Sequence, residues 1–154
     1  MNENNIVSQI QKLVDHIQED NHQHIINEIQ IQLEKSAIPS VPPLSVLECH
    51  VIAGIGDAHI TNAITIAKKL GITRGGISKI AVRLNNKGLI EANQMEGNKR
   101  EIFYRLTSLG KTVYDIHSLL HKQTYDNLVN MLNKYSMEEQ RVISQFLGEL
   151  INYI

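Results

Sequence analysis

Two histidines one helical turn apart are the residues of this sequence best suited to chemistry. His117 and His121 stand at positions i and i+4, which places both imidazoles on one face of a helix where a single metal ion can bridge them. His50 lies in a nearly all-apolar segment, where a polar ring needs a partner. His24, in a separate amphipathic segment, could close a tetrahedron. The pattern favours a metal site, although core histidines with ordinary hydrogen-bond partners would have the same spacing.

A site with four protein ligands has no open position, so it would regulate or stabilise rather than catalyse. The H-x-x-x-H pair has Ser118 where zinc proteases carry a glutamate. No G-x-S-x-G motif, phosphate-binding loop or paired-carboxylate pattern occurs. These observations argue against an enzyme. Imidazole binds zinc, nickel and cobalt alike, so the residues alone do not select the metal.

The segment from residue 61 to 105 contains a second set of chemically suited residues. Thr61 is expected to cap a helix that ends before Gly71, and Thr73 to cap a second helix that Gly88 ends. Two helices joined in this way form a helix-turn-helix, the unit that reads DNA. The second helix has an outward face of cations and small residues, which suits a major groove. The residues on and beside that face are Thr73, Arg74, Gly75, Ser78, Lys79, Val82, Arg83 and Asn86.

Two predicted strands follow, at 89–91 and 102–106, and they are joined by the turn-forming residues 96–100. This hairpin is a wing with a basic tip. Its Arg100, helped by Lys99, is placed to enter a minor groove, where narrow geometry concentrates negative potential.

Positive charge is concentrated in this part of the chain. Residues 61–105 contain nine Lys or Arg and three Glu, whereas the whole chain has a net charge of −1. Neutralising phosphates supplies most non-specific affinity for DNA, so the distribution favours a binder of double-stranded DNA.

The remaining elements are predicted to be helical, with amphipathic stripes in 5–34 and from Thr107 to about residue 134. A proline-rich linker, 36–43, precedes a buried helix that we expect to begin at Pro43 and to end at Gly54 and Gly56. Ser136 and Glu139 form a capping box for a last helix over 137–153. The chain is therefore predicted to be mainly α with a small β-hairpin wing. Residues 44–106 form a winged helix-turn-helix, and 1–36 with 107–154 form dimerisation helices within one domain.

No run of residues is long and apolar enough to span a membrane, and the N-terminus lacks a signal-peptide pattern. The sequence therefore predicts a cytoplasmic protein. Its single cysteine, Cys49, excludes an internal disulfide.

The layout resembles the MarR family of bacterial repressors. The resemblance lies in ITNAITIAKKLGITRGGISKIAVRLNNKGLI, in the wing, and in FYRLTSLGK leading into a long helix, and it covers essentially the full length. It implies a homodimer bound to a pseudo-palindromic operator. One departure is Asn98, since the family usually has an aspartate two residues before the wing arginine.

The histidines resemble those of the zinc-responsive branch of this family, the repressors of zinc-uptake genes. That resemblance implies a zinc site formed by His24, His50, His117 and His121. His24 stands where the branch has a glutamate. Because the loop between the first two helices is several residues longer here, His22 is its substitute candidate. We expect metal to favour DNA binding by fixing the spacing of two recognition helices near one DNA turn, about 34 Å.

Two alternatives remain open at this point. A repressor released by a small organic ligand would have the same fold and no metal site. A repressor released by oxidation of Cys49 would also need no metal, although a lone cysteine on an apolar helix is usually a small hydrophobe.

Overall fold

The computed structural model describes residues 6–13, 23–35, 41–95 and 98–153. Of residues 95 and 98–100 it describes the backbone but not the side chains. The first element, α1, is a helix over 6–13. The order then continues α2 (Gln23–Lys35), α3 (Val46–Ala58), β1 (Thr61–Asn62), α4 (Ala63–Leu70), α5 (Arg74–Asn86), β2 (Ile90–Met95), β3 (Asn98–Leu106), α6 (Ser108–Leu132) and α7 (Met137–Tyr153). The chain divides into two compact units, Met1–Ser118 and Leu119–Ile154.

Helix α3 begins three residues later than predicted. Ser45 caps it by accepting a hydrogen bond from the Glu48 backbone N–H, and the Glu48 side chain accepts from the Ser45 N–H in return. This capping box satisfies two backbone donors at once, so it outweighs the tolerance of Pro43 for a first helical turn, and the predicted start at Pro43 is wrong.

The prediction that Gly54 and Gly56 end α3 is also wrong, because both lie inside the helix and are buried. A Cβ atom on Gly56 would come within 2.3 Å of the Tyr114 ring of α6. The glycine therefore serves close helix packing. The helix ends at Ala58, and His59 takes a positive φ of 60° just beyond it.

The helix-turn-helix is confirmed, with one change at its start. Asn62 rather than Thr61 caps α4, by accepting from the Thr65 N–H. Gly71 adopts the left-handed conformation, φ 66°, that ends α4, as expected for a glycine in this position. Thr73 caps α5 by accepting from the Gly76 N–H.

The wing is part of a three-stranded antiparallel sheet in the order β1-β3-β2. The short strand β1 was not predicted. It pairs Thr61 with Tyr104 and Asn62 with Phe103, so β3 borders the start of α4 on one side and β2 on the other. The β2–β3 ladder has a register shift between Gln94 and Met95.

The described part of the first unit has an apolar core to which α2, α3, α4, α5, the sheet and the start of α6 contribute. Its most buried side chains are Ile29, Ile52, Ile55, Ile66, Ile77, Leu84, Leu89, Ile90, Val41, Val51 and Val113. The start of α6 is fixed to this core by Thr107, whose hydroxyl donates to the Gly88 carbonyl at 2.7 Å and accepts from the Gly110 N–H at 3.0 Å.

The second unit contains the rest of α6 and α7, and none of its described residues is buried. The capping box of α7 is confirmed, because Ser136 and Glu139 exchange the two expected hydrogen bonds. The large exposed apolar residues of the second unit are Leu119, Tyr125, Leu128, Met131, Leu132, Tyr135, Met137, Val142, Phe146, Leu147, Ile151 and Tyr153. No described helix of either unit is long and apolar enough to cross a bilayer.

Candidate nucleic-acid interface and histidine pair

Helix α5 presents one face to solvent and packs the other into the core. Ile77, Ile80, Ala81 and Leu84 are buried. The opposite side carries Gly75, Lys79, Val82 and Asn86, all exposed, and we name these four residues the recognition face. Apart from the two neighbours of Gly75 in the chain and the nearby backbone of its own helix, no atom of the described residues lies within 4 Å of the position that a Gly75 Cβ would occupy. A backbone that is bare at this point allows close approach of a ligand.

Two further predicted DNA contacts lie at the edge of this face. Arg74 is exposed, whereas Ser78 is half-buried. Both line a pocket of about 80 Å³ between the start of α5 and strand β3, together with Asn62, Glu101 and Tyr104. Ser78 is thus partly turned toward the wing strand.

Arg83 contacts a carboxylate, although more than half of its side chain is exposed. Its Nε lies 3.4 Å from Oε1 of Glu48. The same carboxylate accepts from Lys87 Nζ at 2.9 and 3.0 Å, and Lys87 also donates to the Pro43 carbonyl at 2.9 Å. The Glu48 side chain is only 4% exposed. This network fixes the C-terminal half of α5 to the start of α3.

Burial alone would raise the pKa of the Glu48 carboxyl. The hydrogen bond from the Ser45 N–H and the Lys87 and Arg83 cations act in the opposite direction and prevail, so this pKa lies below its ordinary value. Glu48 is therefore an anion at neutral pH. It was not among the predicted site residues, although the S-x-x-E pattern at 45–48 was a visible signal.

The wing residues Lys99 and Arg100 belong to strand β3. Their side chains lie outside the described part of the structure, so their role at the hairpin tip stays a prediction.

Two of the four predicted metal ligands lie next to each other. The ring centroids of His50, on α3, and His117, on α6, are 6.4 Å apart with an interplanar angle of 72°. Two imidazoles on one tetrahedral zinc ion have centroids about 5 Å apart, given zinc–nitrogen distances of about 2.0–2.1 Å. His117 is only 5% exposed. Imidazole is a zinc ligand, and the centroids of this pair lie about 1.4 Å farther apart than those of two imidazoles on one zinc ion.

Among the described residues, the other two predicted ligands, His24 and His121, do not form a metal-holding group with this pair. His24 is exposed on α2, and His121 is exposed on α6 in the second unit. His22 lies outside the described residues. Within the described ranges, no group of three or more His, Cys, Asp or Glu side chains is close enough to hold a metal ion. The four-histidine site stays a prediction.

An acidic group lies near the pair, at the end of α3. Asp57 accepts from Lys69 Nζ of α4 at 2.6 Å and from the Tyr114 hydroxyl of α6 at 2.9 Å. The hydrogen bond from Lys69 is the main reason that the pKa of Asp57 is lowered, and the His117 charge acts in the same direction. Asp57 thus joins the first helix of the helix-turn-helix to the helix that carries His117.

Cys49, which follows Glu48 on α3, is buried. Burial, with the nearby Glu48 carboxylate, raises the pKa of its thiol to about 11, so it is protonated at neutral pH. A protonated, buried thiol reacts slowly with oxidants, which argues against the redox alternative.

A helix-turn-helix followed by a β-hairpin defines a winged helix protein. No family model matches the chain. The transcriptional regulator PchR of Bacillus subtilis is 32% identical over 108 residues, which cover 70% of this chain and 64% of PchR, less than two thirds of that protein. The transcriptional regulator ZitR of Lactococcus lactis is 30% identical over 101 residues, which cover 66% of this chain and 69% of ZitR.

Solved structures of ZitR have a similar fold. The crystal structure of ZitR, a zinc-responsive MarR family member, has a TM-score of 0.74 and 24% identity, covering 97% of each chain. ZitR in complex with DNA has a TM-score of 0.71 and 23% identity, covering 99% of this chain and 98% of that one. The chain belongs to the MarR family of transcriptional regulators.

Proposed function

We propose that this protein is a cytoplasmic homodimeric repressor that binds a pseudo-palindromic operator in double-stranded DNA. The observation that carries the proposal is the recognition face, which is exposed on α5, a helix that Thr73 caps. We assign the contacts with DNA to residues of α5 and its cap and to the wing. They are Thr73, Arg74, Gly75, Ser78, Lys79 and Arg83, with Lys99 and Arg100 from the wing. Structural relatives solved with DNA, ZitR and FabT, support this reading.

Dimerisation would cover the apolar surface of the second unit. Within that unit, α7 and the end of α6 border an apolar groove of about 510 Å³. Exposed apolar surface of this extent marks an interaction site, and a two-fold dimer supplies the same surface on both subunits.

DNA binding is tested by selecting duplexes from a random pool and measuring their dissociation constants by fluorescence anisotropy. Lys79→Ala is expected to weaken binding at least about fivefold, because it removes one cation from each half-site. The matched control is Lys122→Ala, which removes an exposed cation of the second unit that pairs with Asp126. Equal losses in the two variants would contradict the proposed interface.

We further propose that zinc is the corepressor, held by His24, His50, His117 and His121, with His22 as the substitute for His24. The closeness of the His50 and His117 rings supports this. Bound zinc would supply a fixed link between imidazoles of separate helices. His50 on α3 and His117 on α6 would then be held in one arrangement, which favours one spacing of the two recognition helices.

Metal content of the purified protein tests the zinc proposal. We expect about one equivalent of zinc per subunit, falling below about half in His117→Ala. His59→Asn is the matched control, because His59 is exposed and asparagine tolerates its positive φ. Chelated protein should bind the selected duplex more weakly than protein with zinc restored. If the purified protein contains no metal and binds the duplex equally well after chelation and after addition of zinc, release by a small organic ligand is favoured instead.

A further inference from the structure

Val82 is an apolar side chain on a face that otherwise carries polar groups and bare backbone. It is 60% exposed, although valine is among the residues most often buried in proteins. It does not contribute to the core, because the buried positions of α5 are Ile77, Ile80, Ala81 and Leu84. Valine is also a poorer helix former than alanine or lysine at an exposed position. Helix stability therefore does not account for it.

The position of Val82 places it among the groups that would meet DNA. It follows Lys79 by three residues and Gly75 by seven, which is the spacing of one helix face. Gly75 leaves space for close approach, and Lys79 supplies charge that is complementary to phosphates. A β-branched side chain in a helix has one strongly preferred rotamer. The two Val82 methyl groups are thus held in a fixed place at little entropic cost.

We propose that Val82 reads a thymine in each half-site by packing against its 5-methyl group. The inference rests on the proposed function, because it assigns part of the sequence specificity of the same interface. The thymine methyl is the apolar group that base pairs present in the major groove, and apolar side chains recognise it by contact. Cytosine lacks this methyl, so a half-site with cytosine at this position would leave Val82 without an apolar partner.

The test removes the methyl group from the DNA alone. Duplexes selected with the purified protein are remade with deoxyuridine in place of each thymine in turn, and dissociation constants are measured for wild type, Val82→Ala and Val82→Thr. Alanine is the better helix former at this exposed position, so Val82→Ala keeps the fold. Val82→Thr is the matched variant, since it retains the branch and one methyl group.

One thymine per half-site should matter to wild-type protein. Replacing it in one half-site is expected to weaken binding about fourfold, the effect of removing one buried methyl group. The same replacement should weaken the binding of Val82→Ala by less than that of wild type, because alanine keeps a smaller apolar surface for this contact, and Val82→Thr should lie between the two. Equal losses in wild type and Val82→Ala, or no thymine whose methyl group matters, would overturn the inference while DNA binding stands. Failure to enrich any duplex would instead overturn the proposed function, and the inference with it.

Discussion

Replacing Glu48 with glutamine should destabilise the first unit substantially. Glu48→Gln keeps the shape of the side chain but removes the charge that Lys87 and Arg83 contact at 2.9 and 3.4 Å. Breaking a buried ion pair costs about 3–5 kcal/mol. The Lys87 side chain is 18% exposed, keeps its bond to the Pro43 carbonyl, and can regain some hydration, while Arg83 is more than half exposed and adds little. We therefore expect a loss of about 2–3 kcal/mol in the free energy of unfolding.

The assay is urea unfolding followed by circular dichroism, at one fixed protein concentration because the proposed dimerisation would make stability depend on concentration. The chain has its own matched control in Glu139→Gln. Glu139 closes the same type of capping box in α7, but it is exposed, and among the described residues no cation hydrogen-bonds to it. Glu139→Gln should therefore cost less. Equal losses in the two variants would refute the role assigned to the buried ion pair.

The pH dependence of this difference gives a second check. Because the folded protein holds the pKa of Glu48 below its ordinary value of 4.5, the unfolded chain takes up the proton first. The stabilisation is therefore complete above about pH 4.5 and is lost as the pH falls through the lower, folded-state pKa. The difference between wild type and Glu48→Gln should shrink over that range. A difference that is constant from pH 7 down to pH 3 would contradict the assignment.

Two further outcomes are expected. Gly56→Ala should lower the free energy of unfolding by about 1–3 kcal/mol through overpacking, because its Cβ would come within 2.3 Å of the Tyr114 ring. Thermal unfolding of the double variant with Tyr114→Ala should show that part of this loss is recovered. Purely additive losses from the two substitutions would count against this contact. Cys49 should react with iodoacetamide at pH 7.5 at least about a hundredfold more slowly in folded protein than in urea, because the pKa of its thiol in the folded protein is about 11. Rapid modification of the native protein would support the redox alternative.

Local signals in the sequence predicted the DNA-reading helices well. Thr73 at the cap, Gly71 in the turn and the apolar spacing of α5 all act within a few residues, so they can be seen without the fold. The capping box of α7 was predicted for the same reason.

The failures involved partners that lie far apart in the chain. Gly56 was interpreted as a helix end because its reason for being small, the Tyr114 ring, lies on another helix. Glu48 was hidden in an apolar segment, and its partner Lys87 comes from the far end of α5. The rings of His50 and His117 approach each other, and both residues belong to the predicted set of four histidines, which stays a prediction. The assignment of His24 as a metal ligand was harder to make from the sequence, because it depended on the length of a loop.

The sheet order β1-β3-β2 also bears on how fast this chain folds. Beside the β1–β3 pairs, the Asn62 amide donates to Glu101, which lies 39 positions later. Both helices of the helix-turn-helix lie within that interval and can form through local contacts, whereas closing so long a loop costs entropy before any bond is gained. We therefore expect the strand before α4 to dock last in this unit. Newly made chains would acquire their reading helices before the hairpin that accompanies them is anchored.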